Sequence, residues 1–170
     1  QIERASTIVG SLRAFVGHLE HLSQVADLND VVEECLYVVR LRAEPAGVEV
    51  EFRRSADGVP VRCERVLTGQ VVLNLCFNAV DEMAECPPDR RVVVSTSVVG
   101  GEGVLTVDDR GRGFPRDPFE ESFTAKEHGS GIGLALSHRI ITRQHGRIWA
   151  EHRAGGGSRF GFALPLDGPR

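Results

Sequence analysis

The stretch Gly69–Met83, GQVVLNLCFNAVDEM, decides how the rest of the chain is read. It lies in a segment from about Glu64 to Ala84 that is apolar almost all round, with Val71, Leu73, Leu75, Phe77 and Val80 distributed over its faces. A helix of that composition is buried. Yet Asn74 and Asn78 stand one turn apart on one face, and Gln70 continues the ridge. Asparagine is a poor helix-interior residue, and each buried amide left unpaired costs about 1–3 kcal/mol. Either the amides cap a neighbouring loop or they face a polar ligand. An amide oxygen is a hard, neutral donor suited to Mg2+, which takes few protein ligands beside phosphates and water.

Downstream, Val92 to Val99 is rich in β-branched residues, and Gly100–Gly103 leads tightly into a second strand, Val104 to Asp109. Together they read as a hairpin. Strand periodicity puts Asp109 on the face of Leu105 and Val107, and Asp108 with Thr106. A carboxylate ending an apolar row lies at the rim of a pocket and needs a donor. Gly111 and Gly113 follow at once, in DDRGRGFP, where the missing side chains let a ligand lie against the backbone. GSGIGLAL, Gly129 to Leu136, opens a helix running to about Gln144. Free N–H groups at such an end bind phosphate. The segment from Phe114 to Ser130 between them is long and glycine-bounded, as a functional lid is.

Upstream, Asp27–Asp30 starts a helix that Pro45 and Gly47 stop. Val48–Arg53 alternates as a strand, and Val59–Arg62 reads as a short edge strand. Arg147–Arg153 and Ser158–Pro165 close the chain as strands around Gly155–Gly157. Helices alternate with hairpin-joined strands, which predicts a two-layer α/β sandwich, a mixed sheet with helices on one face. The opening residues carry Ile2, Ala5, Val9, Leu12, Val16 and Leu19 at helical spacing, widened by Ile8, Phe15 and Leu22. This three-in-seven face suits a bundle helix, packed on its own domain or in an intermolecular bundle. Two units follow: residues 1–24 as a bundle helix and 27–170 as the sandwich.

Composition sets bounds. The 170 residues are 41% hydrophobic and 26% charged, ordinary for one domain. A net charge of −4 gives no electrostatic reason to expect nucleic acid. No apolar run approaches the roughly 20 residues of a membrane span. The chain opens on Gln1 and reads as a piece of a longer protein. Cys35, Cys63, Cys76 and Cys86 form no C-x-x-C pair and read as free thiols, and the scattered histidines predict no transition-metal site.

Each motif alone is modest, but their order is specific. GQVVLNLCFNAVDEM resembles the asparagine box of sensor histidine kinases, VDDRGRGFP their first glycine box, and FEESFTAKEHGSGIGLALSHRII their phenylalanine box and second glycine box. HGRIWAEHRAGGGSRFGFALPL resembles the closing strands, and RASTIVGSLRAF the last helix of the family's dimerisation and phosphotransfer hairpin. The resemblance implies the Bergerat-type ATP-binding fold shared with gyrase, chaperone and mismatch-repair ATPases. It implies that Asn78 is the Mg2+ ligand, that Asn74 supports the metal or its waters, and that Asp109 accepts a hydrogen bond from the adenine amine. Gly111 and Gly113 would shape the adenine pocket. Phe119, Phe123, Thr124 and Lys126 would belong to the lid; Lys126 would reach a terminal phosphate or stay a solvated surface lysine. Gly129, Gly131, Ile132, Gly133 and Leu134 would form the phosphate-facing loop. Ala125 stands where the family usually has a second threonine.

The implied function is transfer of the ATP γ-phosphoryl to a histidine outside this chain, then to an aspartate of a response-regulator receiver domain. The implied partners are the protein's own dimerisation and phosphoacceptor domain, that receiver domain, and a second copy in a homodimer. The implied location is cytoplasmic, in a parent that a membrane anchor could hold. Two rivals differ in class: an ATP-hydrolysing clamp, which needs a carboxylate base where Asn74 stands, and a nucleotide-dead adaptor. His18 and His21, in GHLEHL, lack the acceptor box of the family.

Overall fold

The computed structural model describes residues 23–86, 88–119 and 131–168. In chain order the elements are β1 (Ser23–Asp27), α1 (Leu28–Ala43), β2 (Glu49–Arg53), β3 (Pro60–Glu64), α2 (Arg65–Ala84), β4 (Arg91–Val99), β5 (Glu102–Asp108), α3 (Gly131–Arg143), β6 (Arg147–His152) and β7 (Ser158–Pro165).

Five strands form one mixed sheet in the order β2-β4-β5-β7-β6. β2 and β4 run parallel, and every other neighbouring pair is antiparallel. The alternating residues Val92 and Val94, Leu105 and Val107, and Phe162 and Leu164 are buried in one cluster with the inner faces of the three helices. That is the predicted two-layer sandwich. α2 lies centrally, packed on both α1 and α3 as well as on β4 and β5. Its Val71, Val72, Leu75, Cys76, Val80 and Met83 are essentially inaccessible. Burial pushes the thiol of Cys76 far up and that of Cys35 to about 11, so both stay protonated, inert packing groups at neutral pH.

The helix ends follow local chemistry. Asp27 caps α1, its Oδ1 accepting the N–H of Asn29 at 2.9 Å and that of Val59 at 3.1 Å. Gly47, at φ 68°, closes the other end with the paired return bonds Val48 N–H to Ala43 and Gly47 N–H to Glu44. Asn29 is a buried surprise. Its amide donates to the carbonyls of Ser55 and Asp57, while its oxygen accepts from Thr96. It thereby ties the β2–β3 connection to β4.

The first boundary needs correction. A helix was expected to residue 24, but Ser23 and Gln24 belong to β1, which pairs antiparallel with β3 in a separate two-stranded sheet. The apolar helical stripe ends at Leu22, and the backbone groups of Ser23–Asp27 are satisfied by the β3 ladder instead. Residues 1–22, His18 and His21 among them, lie outside the described residues.

Leu75, fully buried at the centre of α2, tests this packing. Leu75→Ala should lower unfolding free energy by about 2–5 kcal/mol, read as a lower urea midpoint at unchanged slope.

Candidate nucleotide site

α2 presents its polar ridge between the two glycine motifs. Asn74 comes first. Its Nδ2 donates to the carbonyl of Gly133 at 3.3 Å and to Ser137 Oγ at 3.2 Å, and its Oδ1 accepts from Gln70. The amide therefore fastens the first turns of α3 to α2. Asn78, one turn on, is half-buried and makes no hydrogen bond to any described residue. It is the ridge amide left available for a ligand. Glu82 follows one further turn along. Its Oε1 accepts the Arg112 backbone N–H at 3.0 Å and Arg112 Nε at 3.1 Å. That guanidinium holds the carboxyl of Glu82 below its ordinary range.

Asp109 sits just past the end of β5 and is 3% exposed. Its Oδ1 accepts two backbone N–H groups, Gly111 at 2.9 Å and Ser158 at 3.2 Å. Its Oδ2 makes no hydrogen bond to a described residue, which leaves one acceptor atom for an incoming amine. Burial raises its carboxyl above the usual range, although the two N–H bonds oppose the shift. Asp108 points the other way and is spent on a two-pronged ion pair with Arg159, at 2.7 and 2.8 Å.

The β6–β7 turn completes this wall. Gly157, at φ 93°, brings its backbone so close to Asp109 that a Cβ there would meet the Asp109 and Arg110 main chain. Arg153 donates to the carbonyls of Asp109 at 3.1 Å and Gly156 at 3.2 Å. On the lid side, Phe114 stacks on His152 with centroids 4.4 Å apart, and Phe119 meets Phe160 edge-on at 6.1 Å. Phe114 and Phe119 thus lie against β6 and β7.

The structure joins Asn74 to Gly133 and Asp109 to Gly111 directly, sets Gly111 against Glu82 one turn past Asn78, and places Gly113 beside His152 and Phe119 beside Phe160. Leu134 is buried in the core cluster rather than facing open space. Gly131 and Ile132 form the start of α3. Phe123, Thr124, Lys126 and Gly129 lie outside the described residues. Sequence reading missed Glu82, Ser137, Arg153, Gly157 and Ser158 as site-building residues. For Glu82 the signal was its place four residues beyond Asn78. For Ser158 it was the glycine run before it, Gly155–Gly157.

Residues 63–168 match the family of histidine kinase-, DNA gyrase B- and HSP90-like ATPases. The chain belongs to this family of ATP-binding domains. The sensor protein FixL of Bradyrhizobium diazoefficiens is 35% identical over 169 residues, 97% of this chain and 34% of FixL. The mycobacterial sensor histidine kinase MprB superposes with a TM-score of 0.73 at 26% identity, covering 85% of this chain and 98% of that one. The catalytic domain of histidine kinase ThkA gives 0.74 at 22% identity, covering 85% and 95%. The fold is that of histidine kinase catalytic domains. The chain spans about a third of the length of the curated relatives it matches. No helix among the described residues is long and apolar enough to cross a membrane.

Asp109 also carries a stability signature. Its raised pKa favours folding only at pH values where the carboxyl is protonated, and opposes folding once it ionises at neutral pH. Asp109→Asn keeps the Oδ1 acceptor and replaces the unpaired Oδ2 by a donor. The variant should melt at the same temperature or roughly 2–4 °C higher at pH 7. It should bind ADP roughly 10- to 100-fold more weakly, as read by differential scanning and titration calorimetry.

Proposed function

We propose that this domain binds ATP across the ridge of α2 and presents its γ-phosphoryl group to a histidine carried by the dimerisation and phosphoacceptor domain of the same protein. The observation that carries the reading is Asp109: a buried carboxylate with one oxygen held by two backbone N–H groups and the other free. An acceptor of that kind pairs with an exocyclic amine, as adenine offers, and repels a carbonyl oxygen. The resemblance in motif order and the kinase relatives support the same assignment.

The roles of the residues follow from their chemistry. Asp109 Oδ2 accepts the adenine amine, while Gly111 and Gly113 leave room for the ring. Asn78 offers a neutral oxygen that fits Mg2+, and Asn74 holds the α3 start where the phosphates would lie. Bound there, the metal would neutralise phosphate charge. Gly129 and Gly131 to Leu134 would supply backbone N–H groups to the phosphates, with Lys126 and Thr124 closing over them and Phe119 and Phe123 anchoring the lid. In the transfer, an imidazole nitrogen attacks the γ-phosphorus, the bond to the β–γ bridging oxygen breaks, and ADP leaves. Positioning and charge neutralisation are most of what such a step demands. The phosphoryl group then passes to an aspartate of a response-regulator receiver domain. In the full protein the domain works on the cytoplasmic side, within a homodimer.

A hydrolytic clamp needs a base beside the metal. Asn74 cannot take a proton from water, and both its N–H donors are engaged by Gly133 and Ser137. An adaptor without nucleotide would have no use for a carboxyl buried at Asp109.

With γ-labelled ATP and Mg2+, this chain alone should gain no acid-labile label, and a supplied helical hairpin bearing the acceptor histidine should become labelled. Stoichiometric label on His18 or His21 would overturn this division of labour. Asn78→Ala should erase most of the Mg2+ dependence of ADP binding, and Asn74→Ala should lower affinity with and without Mg2+ alike. Titrations at both conditions separate the two; an Mg2+ dependence unchanged in Asn78→Ala would remove Asn78 from the metal.

A further inference from the structure

Glu82 has no role in the reading above, yet it makes the densest set of contacts on the site side of α2. It lies one turn past Asn78, and its side chain is 25% exposed against 68% for Arg112. Its Oε1 takes both the Arg112 backbone N–H and Nε, and its Oε2 takes the terminal guanidinium nitrogen at 3.3 Å. The glycine beside it is fitted to it: a Cβ on Gly111 would overlap Glu82 Cγ and lie 2.7 Å from Oε1. Gly111 in turn donates its N–H to Asp109 Oδ1. An unbroken chain of contacts therefore runs from α2 through Glu82 to the Gly111–Arg112 backbone, and from there to the acceptor carboxylate.

The geometry points to Glu82 as a positioning residue for nucleotide binding, holding the Gly111–Gly113 turn in the shape that presents Asp109 to the base. This rests on the nucleotide-site assignment above. The exposed ion pair is the lesser part of the effect, since pairs of that kind contribute little in water. The part that matters is the charge-assisted bond to a main-chain N–H, together with the close packing on Gly111. These fix a backbone that two glycines would otherwise leave loose. Asn74 does the matching work at α3, through Gly133 and Ser137. The central helix thus holds the Gly111–Arg112 backbone and the start of α3 on either side of Asn78.

The test is titration of this chain with ADP and Mg2+, in parallel with amide hydrogen exchange of the free protein. Glu82→Ala should weaken ADP about tenfold, speed exchange at the Arg112 amide, and leave the protection of the α2 core unchanged. Glu82→Gln keeps the Oε1 acceptor for that amide and should recover affinity to within about threefold of wild type. Gly111→Ala should weaken ADP in the wild-type background and add little in the Glu82→Ala background, where the overlap is relieved. Wild-type affinity in Glu82→Ala, strictly additive losses in the double variant, or equal losses in Glu82→Ala and Glu82→Gln would overturn the inference while leaving the site intact. Absence of ADP binding by the wild-type chain would overturn the site itself and this inference with it.

Discussion

Everything at the site depends on a polar ridge drawn along a helix that is otherwise core. α2 is buried against the sheet and both flanking helices, so it cannot shift without breaking the packing around Leu75 and Met83. The ridge residues Asn74, Asn78 and Glu82 therefore stand at fixed spacing on a rigid support. Asn74 is satisfied by Gly133 and Ser137 and Glu82 by Arg112, while Asn78 pairs with none of the described side chains. Polar groups on such a helix would be costly if they had nothing to bind. Here that cost is offset at Asn74 and Glu82 by bonds across to α3 and to the Gly111–Arg112 backbone.

Asp109 follows a similar logic on the opposite wall. Its depth would disfavour a charge, and the Gly111 and Ser158 N–H groups only partly compensate. Burial at this depth disfavours the charged form of the carboxyl. Sites are often built at some expense of stability in this way. The glycines at 111 and 157 are required by contact rather than by turn geometry alone. One abuts Glu82 and the other the Asp109 main chain.

Much of this was legible in the residue pattern. The apolar runs of β4, β5 and β7 and the all-round apolar α2 placed the elements to within a residue or two. Asn78 and Asp109 stood out because each breaks its local pattern. Other features were hidden because they are set by tertiary contact. β1 looked like the tail of a helix, since pairing with β3 leaves no local signature. Asn74 and Asn78 are alike in residue type and ridge position, and it is the approach of Gly133 and Ser137 that engages one of them. Glu82 drew no reading of its own, because nothing in VDEM announces that Arg112 will fold back onto it.

The most direct measurement is a crystal structure of this chain with a non-hydrolysable ATP analogue and Mg2+. The account predicts the adenine amine on Asp109 Oδ2 and the metal on Asn78 Oδ1. It predicts further that the Glu82–Arg112 and Asn74–Gly133 bonds are retained as described for the free domain. A nucleotide seated elsewhere, or a metal that ignores Asn78 while Asn74 releases α3 to ligate it, would contradict the account.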